Sequence, residues 1–129
     1  MPTGTSDDSG TGRRLETCCQ ALLAKKAYDV VVLDVGRLTP VADHFVIASG
    51  FSRTQVQAMA DSVLERMAGE GYRARRSEGY ADARWVCLDY GDVVVHVFQD
   101  EVRRYFDLES LWGDAPCQRL GEQPQVLRA

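Results

Sequence analysis

Several things are missing from this chain, and each absence removes a class of function. The four cysteines contain no Cys-x-x-Cys pair: Cys18 and Cys19 are adjacent, and Cys87 and Cys117 stand alone. That excludes the common zinc and dithiol patterns. With so much apolar sequence and no secretion signal, a disulfide framework is not expected either. No apolar stretch is long enough to span a bilayer. The N-terminus, with Asp7 and Asp8, resembles neither a signal nor a transit peptide, so a cytoplasmic protein is expected. The basic excess of a general nucleic-acid binder is also missing, since the net charge is −4. No cofactor motif is present.

What is present fits one domain. The 129 residues are 45 % hydrophobic and 26 % charged, ordinary for a soluble globular protein. Residues 1–12 hold almost nothing apolar and read as a disordered N-terminal tail. Residues 116–129 read as a flexible C-terminal tail. The folded domain is then 13–115.

Leu15, Cys18, Cys19, Leu22 and Leu23 recur at helical spacing. Val30 to Val35 reads as a strand covered on both faces, and Phe45 to Ser49 as a second. Ser52 and Gln55 have capping-box spacing. They open a helix whose stripe is Val56, Met59, Ala60, Val63, Leu64 and Met67. Gly69 and Gly71 stop it. Tyr72 to Arg75 reads as a short strand. Trp85 to Leu88 and Val93 to Phe98 read as a hairpin turning tightly at Tyr90-Gly91. Asp100 reads as the cap of a last helix through Val102, Tyr105, Phe106 and Leu108. The order predicts a mixed α/β fold: one roughly five-stranded mixed sheet with packed helices.

Charge is unevenly spread. Glu78 to Asp114 holds nine acids against Arg84, Arg103 and Arg104, while Ser52 to Arg76 holds five arginines against three acids. An acidic end suits a basic protein partner; a solvated face is the plainer alternative.

Catalytic patterns are weak. His44, His96, Asp34, Asp43, Ser49 and Ser52 can be assembled into a hydrolase, but no spacing demands it. His96 reads as a residue on the more polar sheet face, and Cys87 as a buried strand thiol. Ser49-Gly50-Phe51-Ser52 leads from strand to helix, as in nucleotidyltransferases, yet the chain has no Asp-x-Asp to hold their metals. Ser52 reads as a helix cap.

The hairpin offers more. Trp85 and Leu88 are three residues apart and fall on opposite faces of a strand, so one of them points away from the main core. Trp and Tyr are frequent interface anchors. Trp85, Leu88 and Tyr90 are therefore the expected anchors of a docking surface, with Asp89, Asp92, Glu101 and Glu109 as its charged contacts.

Together, Asp29 to Val35, Ala42-Asp43 with Phe45 to Gly50, Ser52-Arg53 with Gln55-Val56, and Glu78-Gly79 form a recognisable series. It continues through Trp85 to Phe98, Tyr105 to Glu109 and Leu111-Trp112. In this order the chain resembles the ribosomal silencing factors, the Iojap-like family. The resemblance implies a nucleotidyltransferase-like fold without enzymatic activity. It implies binding to protein fourteen of the large ribosomal subunit and a block of subunit joining that lowers translation when nutrients are scarce. It also implies a homodimer. The runners-up are a degenerate nucleotidyltransferase-like enzyme and another protein-interaction module. Two positions depart from the family pattern: His44 stands where tyrosine is usual, and Phe51 where a small or polar residue is usual.

Overall fold

The two most apolar runs form the middle of the sheet. The structure, a computed structural model, describes residues 3–120. Strand β1 (Tyr28–Asp34) pairs antiparallel with β2 (His44–Gly50), setting Val31 opposite Ile47 and Leu33 opposite Phe45. Strands β4 (Trp85–Asp89) and β5 (Val93–Gln99) form the expected hairpin, and β5 lies parallel to β2 from His44↔Val93 to Gly50↔Gln99. Strands β3 (Arg76–Glu78) and β6 (Cys117–Leu120) complete a mixed sheet of six strands, ordered β3-β4-β5-β2-β1-β6.

Two long helices cover one face. In α1 (Thr3–Leu23), Cys18, Ala21 and Leu22 are fully buried. In α2 (Arg53–Gly69), Val56, Met59, Ala60, Val63 and Met67 are. Ser62 donates to the Ala21 carbonyl at 2.9 Å and pins the helices together. Beneath them lie Val30, Val46, Ala48, Val86, Leu88, Val93, Val95 and Val97. Burial on this scale is the main favourable contribution, about 1.5–3 kcal/mol per large aliphatic side chain.

The Ser52 half of the capping box at α2 forms as its spacing predicts, while Gln55 reaches one residue further back than the cap. Ser52 accepts from the Gln55 N–H at 3.0 Å, and Gln55 Oε1 accepts from the Phe51 N–H at 2.8 Å. The amide nitrogen of Gln55 also donates to the Lys25 and Lys26 carbonyls, each at 3.1 Å, and so joins the end of α1 to the start of α2.

The opposite face carries Val31, Leu33, Phe45, Ile47, Val94 and Phe98. Only short elements cover it: α3 (Asp100–Phe106) and the single turn α4 (Leu108–Leu111), contributing Val102, Leu108 and Trp112.

Several expectations need correction. The sheet has six strands, because Cys117–Leu120 pairs with β1; this stretch is an edge strand with mostly exposed residues, so apolar alternation carries no signal there. Helix α1 begins upstream of Arg13, and Thr11 bonds Asp92 at 2.9 Å. Met1, Pro2 and residues 121–129 lie outside the described residues. The strand expected at Tyr72 to Arg75 lies at Arg76–Glu78 instead, and Tyr72 packs against the core. The hairpin turns at Gly91-Asp92, since the Tyr90 N–H bonds the Val93 carbonyl at 2.8 Å and Gly91 takes φ of +93°. The last helix breaks at Asp107, whose φ is +49°, and Asp107 rather than Asp100 supplies a side-chain cap, to the Ser110 N–H. No helix among the described residues is long and apolar enough to cross a membrane.

Two polar ties hold the layers. Arg14 on α1 reaches the hairpin turn and pairs with Asp92 at 2.5 Å. Arg103 on α3 is only 4 % exposed. It binds Glu109 with two nitrogens, at 2.9 and 3.4 Å, and donates to the Asp29 carbonyl at 2.7 Å and to Ser49 Oγ at 3.0 Å. Asp29 sits in the left-handed region, with φ of +52°, within an irregularity of β1 between Tyr28 and Val31. The guanidinium holds that kink against the helices.

Arg103→Ala leaves Glu109 without its counter-ion, Asp29 with Arg119 alone, and the Asp29 carbonyl and Ser49 Oγ without this donor. It is expected to cost about 3 kcal/mol, roughly 10 °C in thermal unfolding; Arg103→Lys recovers only part, because an ammonium lacks the two-pronged geometry. Burial pushes Asp92 up, the Arg14 and Thr11 hydrogen bonds pull it down, and the net pKa lies below the ordinary carboxylate value. Its stabilising contribution is therefore present above about pH 4 and is lost as pH falls through the lower folded value. Asp92→Asn should lower the melting temperature at pH 7 by about 4 °C and shrink that difference at pH 2.5.

Candidate protein-docking face

Strand alternation sends Trp85, Cys87 and Asp89 of β4 to the thinly covered face, and all three are half-buried. Val86 and Leu88 point the other way and are fully buried. Across the ladder, Trp85 lies opposite Phe98, Cys87 opposite His96 and Asp89 opposite Val94. Glu78 and Arg76 of β3 continue those rows to the sheet edge. Gly79, at φ of +85°, lets the chain pass close to this strand; a Cβ there would run into the Trp85 carbonyl.

Seven rings form a continuous line over this face: Tyr105, Phe106, Trp85, Phe98, His96, Phe45 and Trp112. Tyr105 meets Phe106 edge-on at 5.0 Å, and Phe106 sits 5.1 Å from Trp85. Trp85 stacks on Phe98 at 4.9 Å. His96 and Trp112 each meet Phe45 edge-on, at 4.9 and 5.3 Å. These are the separations aromatic quadrupoles favour. The line surfaces at α3, where Tyr105 is 81 % exposed and Phe106 48 %, and α4 adds Leu111 at 72 %. Large apolar side chains this open, grouped on one face, mark an interaction surface more often than chance exposure.

The residues expected to dock do not all gather here. Trp85 does. Leu88 and Tyr90 are core residues of the opposite face, 0 % and 8 % exposed beneath the long helices. Removing either opens the interior before it touches a partner; a buried Leu→Ala costs about 2–5 kcal/mol. Asp92 is engaged by Arg14, and Glu109 by Arg103. Asp89 accepts the Gly91 N–H at 2.8 Å and shapes the turn. Glu101 remains exposed, lining a shallow depression with Arg84, Val102, Tyr105 and Phe106. The rim thus carries both signs, with Glu101 and Arg84 lining one depression and Glu78 beside Arg76.

The sequence places Tyr105 and Phe106 in the last helix and assigns neither them nor Leu111 a docking role. Adjacent helical residues point about 100° apart, a separation that burial of both can span, as at Val102 and Arg103, so the spacing does not mark Tyr105 as exposed. His96 is also misplaced by the sequence reading. It lies among rings rather than on a polar face, and burial pushes its pKa down to about 4, so it is neutral. Cys87 is half-buried, and burial raises its thiol to about 11, so it is not a nucleophile at neutral pH.

The strand-to-helix element is committed to structure. Ser49 is fully buried and accepts from Arg103, while Ser52 caps α2. Among the described residues, no three His, Cys, Asp or Glu gather as a metal site. The departures sit away from the aromatic line: Phe51 is exposed beside Tyr28 at 5.3 Å, and His44 opens β2 opposite Asp34.

Residues 8–128 match the sequence model of RsfS, "ribosomal silencing factor during starvation". The chain is 47 % identical over 96 residues to ribosomal silencing factor RsfS of Bacillus subtilis, covering 74 % of this chain and 81 % of that one. It is 45 % identical over 106 residues to RsfS of Halalkalibacterium halodurans, covering 82 % and 91 %. A crystal structure of a Chromobacterium violaceum protein superposes with a TM-score of 0.78 at 38 % identity, covering 79 % of this chain and 85 % of that one. The chain therefore belongs to the RsfS family of ribosomal silencing factors.

Proposed function

We propose that this chain docks its aromatic face on protein fourteen of the large ribosomal subunit and so keeps the small subunit from joining. It acts in the cytoplasm and lowers translation when nutrients are scarce. No catalytic step is involved: a folded domain fixed on the joining surface excludes the other subunit by its volume. Family membership supports a ribosomal partner. The observation that carries the choice of surface is the unbroken line of rings that ends in exposed Tyr105 and Phe106.

Affinity on such a face comes from desolvated apolar contact, with charge adjusting orientation and rate. The mixed rim of Glu101, Arg84, Glu78 and Arg76 agrees with a minor role for net charge. Homodimerisation belongs on the same face. Both sheet edges are short and largely polar, three residues at β3 and four at β6, which is how proteins keep edges from pairing.

Sedimentation with purified large subunits tests the reading. Tyr105→Ala combined with Leu111→Ala removes exposed side chains only, so melting should change by less than about 3 °C. Losing one central anchor is worth about 2 kcal/mol, so binding should fall about 30-fold, and added small subunits should then join freely. Raising salt should weaken the parent far less than this double variant does. Light scattering should show a dimer for the parent and a monomer for the variant. A folded double variant that pellets and blocks joining like the parent would remove the aromatic face from the account.

A further inference from the structure

His96 is the odd residue of β5. Its neighbours Val93, Val94, Val95, Val97 and Phe98 are all apolar and buried, and His96 itself is only 7 % exposed. It sits mid-strand in the interior of the sheet, beside Cys87 and Ile47. A leucine would fill that space without bringing two ring nitrogens out of water. The arrangement satisfies only one of them. His96 Nδ1 accepts from the Trp85 indole N–H at 3.1 Å, while Nε2 is buried with no partner.

An imidazole accepting at Nδ1 carries its proton on Nε2. That N–H is a buried donor left unmet, which stability alone disfavours. Trp85 itself is half-buried, and its indole N–H meets His96 in the part-buried layer between β4 and β5. What the bond does is fix the plane of the indole. With Phe98 stacked beneath and Phe106 alongside, the single polar contact leaves the ring one orientation.

We propose that His96 is a positioning residue: its Nδ1 holds the Trp85 indole in the orientation that presents the aromatic face to a protein partner. This rests on the docking reading above and deepens it. A ring already fixed loses less freedom on association, and preorganisation of that kind raises affinity without adding a contact. His96 itself stays beneath the surface and acts through Trp85.

The test uses the full chain with His96→Leu, His96→Asn and Trp85→Phe, singly and combined. The readouts are the Trp85 indole N–H resonance, assigned by its loss in Trp85→Phe, and sedimentation with large subunits. His96→Leu should shift that resonance and weaken binding about tenfold. His96→Asn places an amide oxygen near the Nδ1 position and should restore both. In a Trp85→Phe background, His96→Leu should weaken binding no further. That double variant replaces both partners by apolar groups and should melt within a few degrees of the parent, which separates positioning from folding. If His96→Leu binds as tightly as the parent, or weakens binding equally without Trp85, the positioning role is wrong while docking stands. If the parent itself does not bind large subunits, docking falls and this role falls with it.

Discussion

One guanidinium keeps the second layer of this protein in place. The long helices bury a continuous apolar stripe, which is their main hold on the sheet. The other face is covered by a seven-residue helix and a single turn, too short to be stable alone. Arg103 fastens them to the sheet, taking Glu109 from one element, Ser49 from β2 and the Asp29 carbonyl from the kink in β1. Asp29 also pairs with Arg119 of β6. A buried ion pair contributes little net stability beside an apolar replacement, but it specifies one arrangement. Here it specifies where α3 ends, and hence where Tyr105 and Phe106 stand.

The aromatic face follows from that economy of cover. Had α3 been a long helix, the rings would be core. Because it stops at Phe106 and the chain turns through left-handed Asp107, the line of rings runs from half-buried Trp112 through buried Phe45 and Phe98 and ends in solvent. The proposed blocking role calls for a rigid grip more than for a reactive group. For that proposed role, interior packing along the line supplies rigidity, and exposure at Tyr105 supplies the grip.

Where burial has a period, the sequence was readable. The stripe of α2, its serine cap, the two central strands and the hairpin all follow from spacing and residue type. β6 was hidden because its residues are mostly exposed and show no apolar alternation, and the early part of α1 because its residues are polar. The site was half legible. Alternation showed that Trp85 and Leu88 part ways, but not which face the long helices take; that depends on connections a sequence does not display. Asp92 and Glu109 looked like surface charge because their arginine partners lie 78 and 6 residues away, and ion pairing of that kind leaves no periodic trace.

The parallel pairing of β2 with β5 carries a consequence for synthesis. The sheet's centre joins His44–Gly50 to Val93–Gln99, segments separated by a helix and a whole hairpin. Contacts that distant form late, after the loop between them has closed. A nascent chain that has reached only α2 holds β2, a buried apolar strand, with one flank unpaired. The polypeptide cannot acquire its central seam until Gln99 has cleared the exit tunnel, so its vulnerable interval during translation is most of its length.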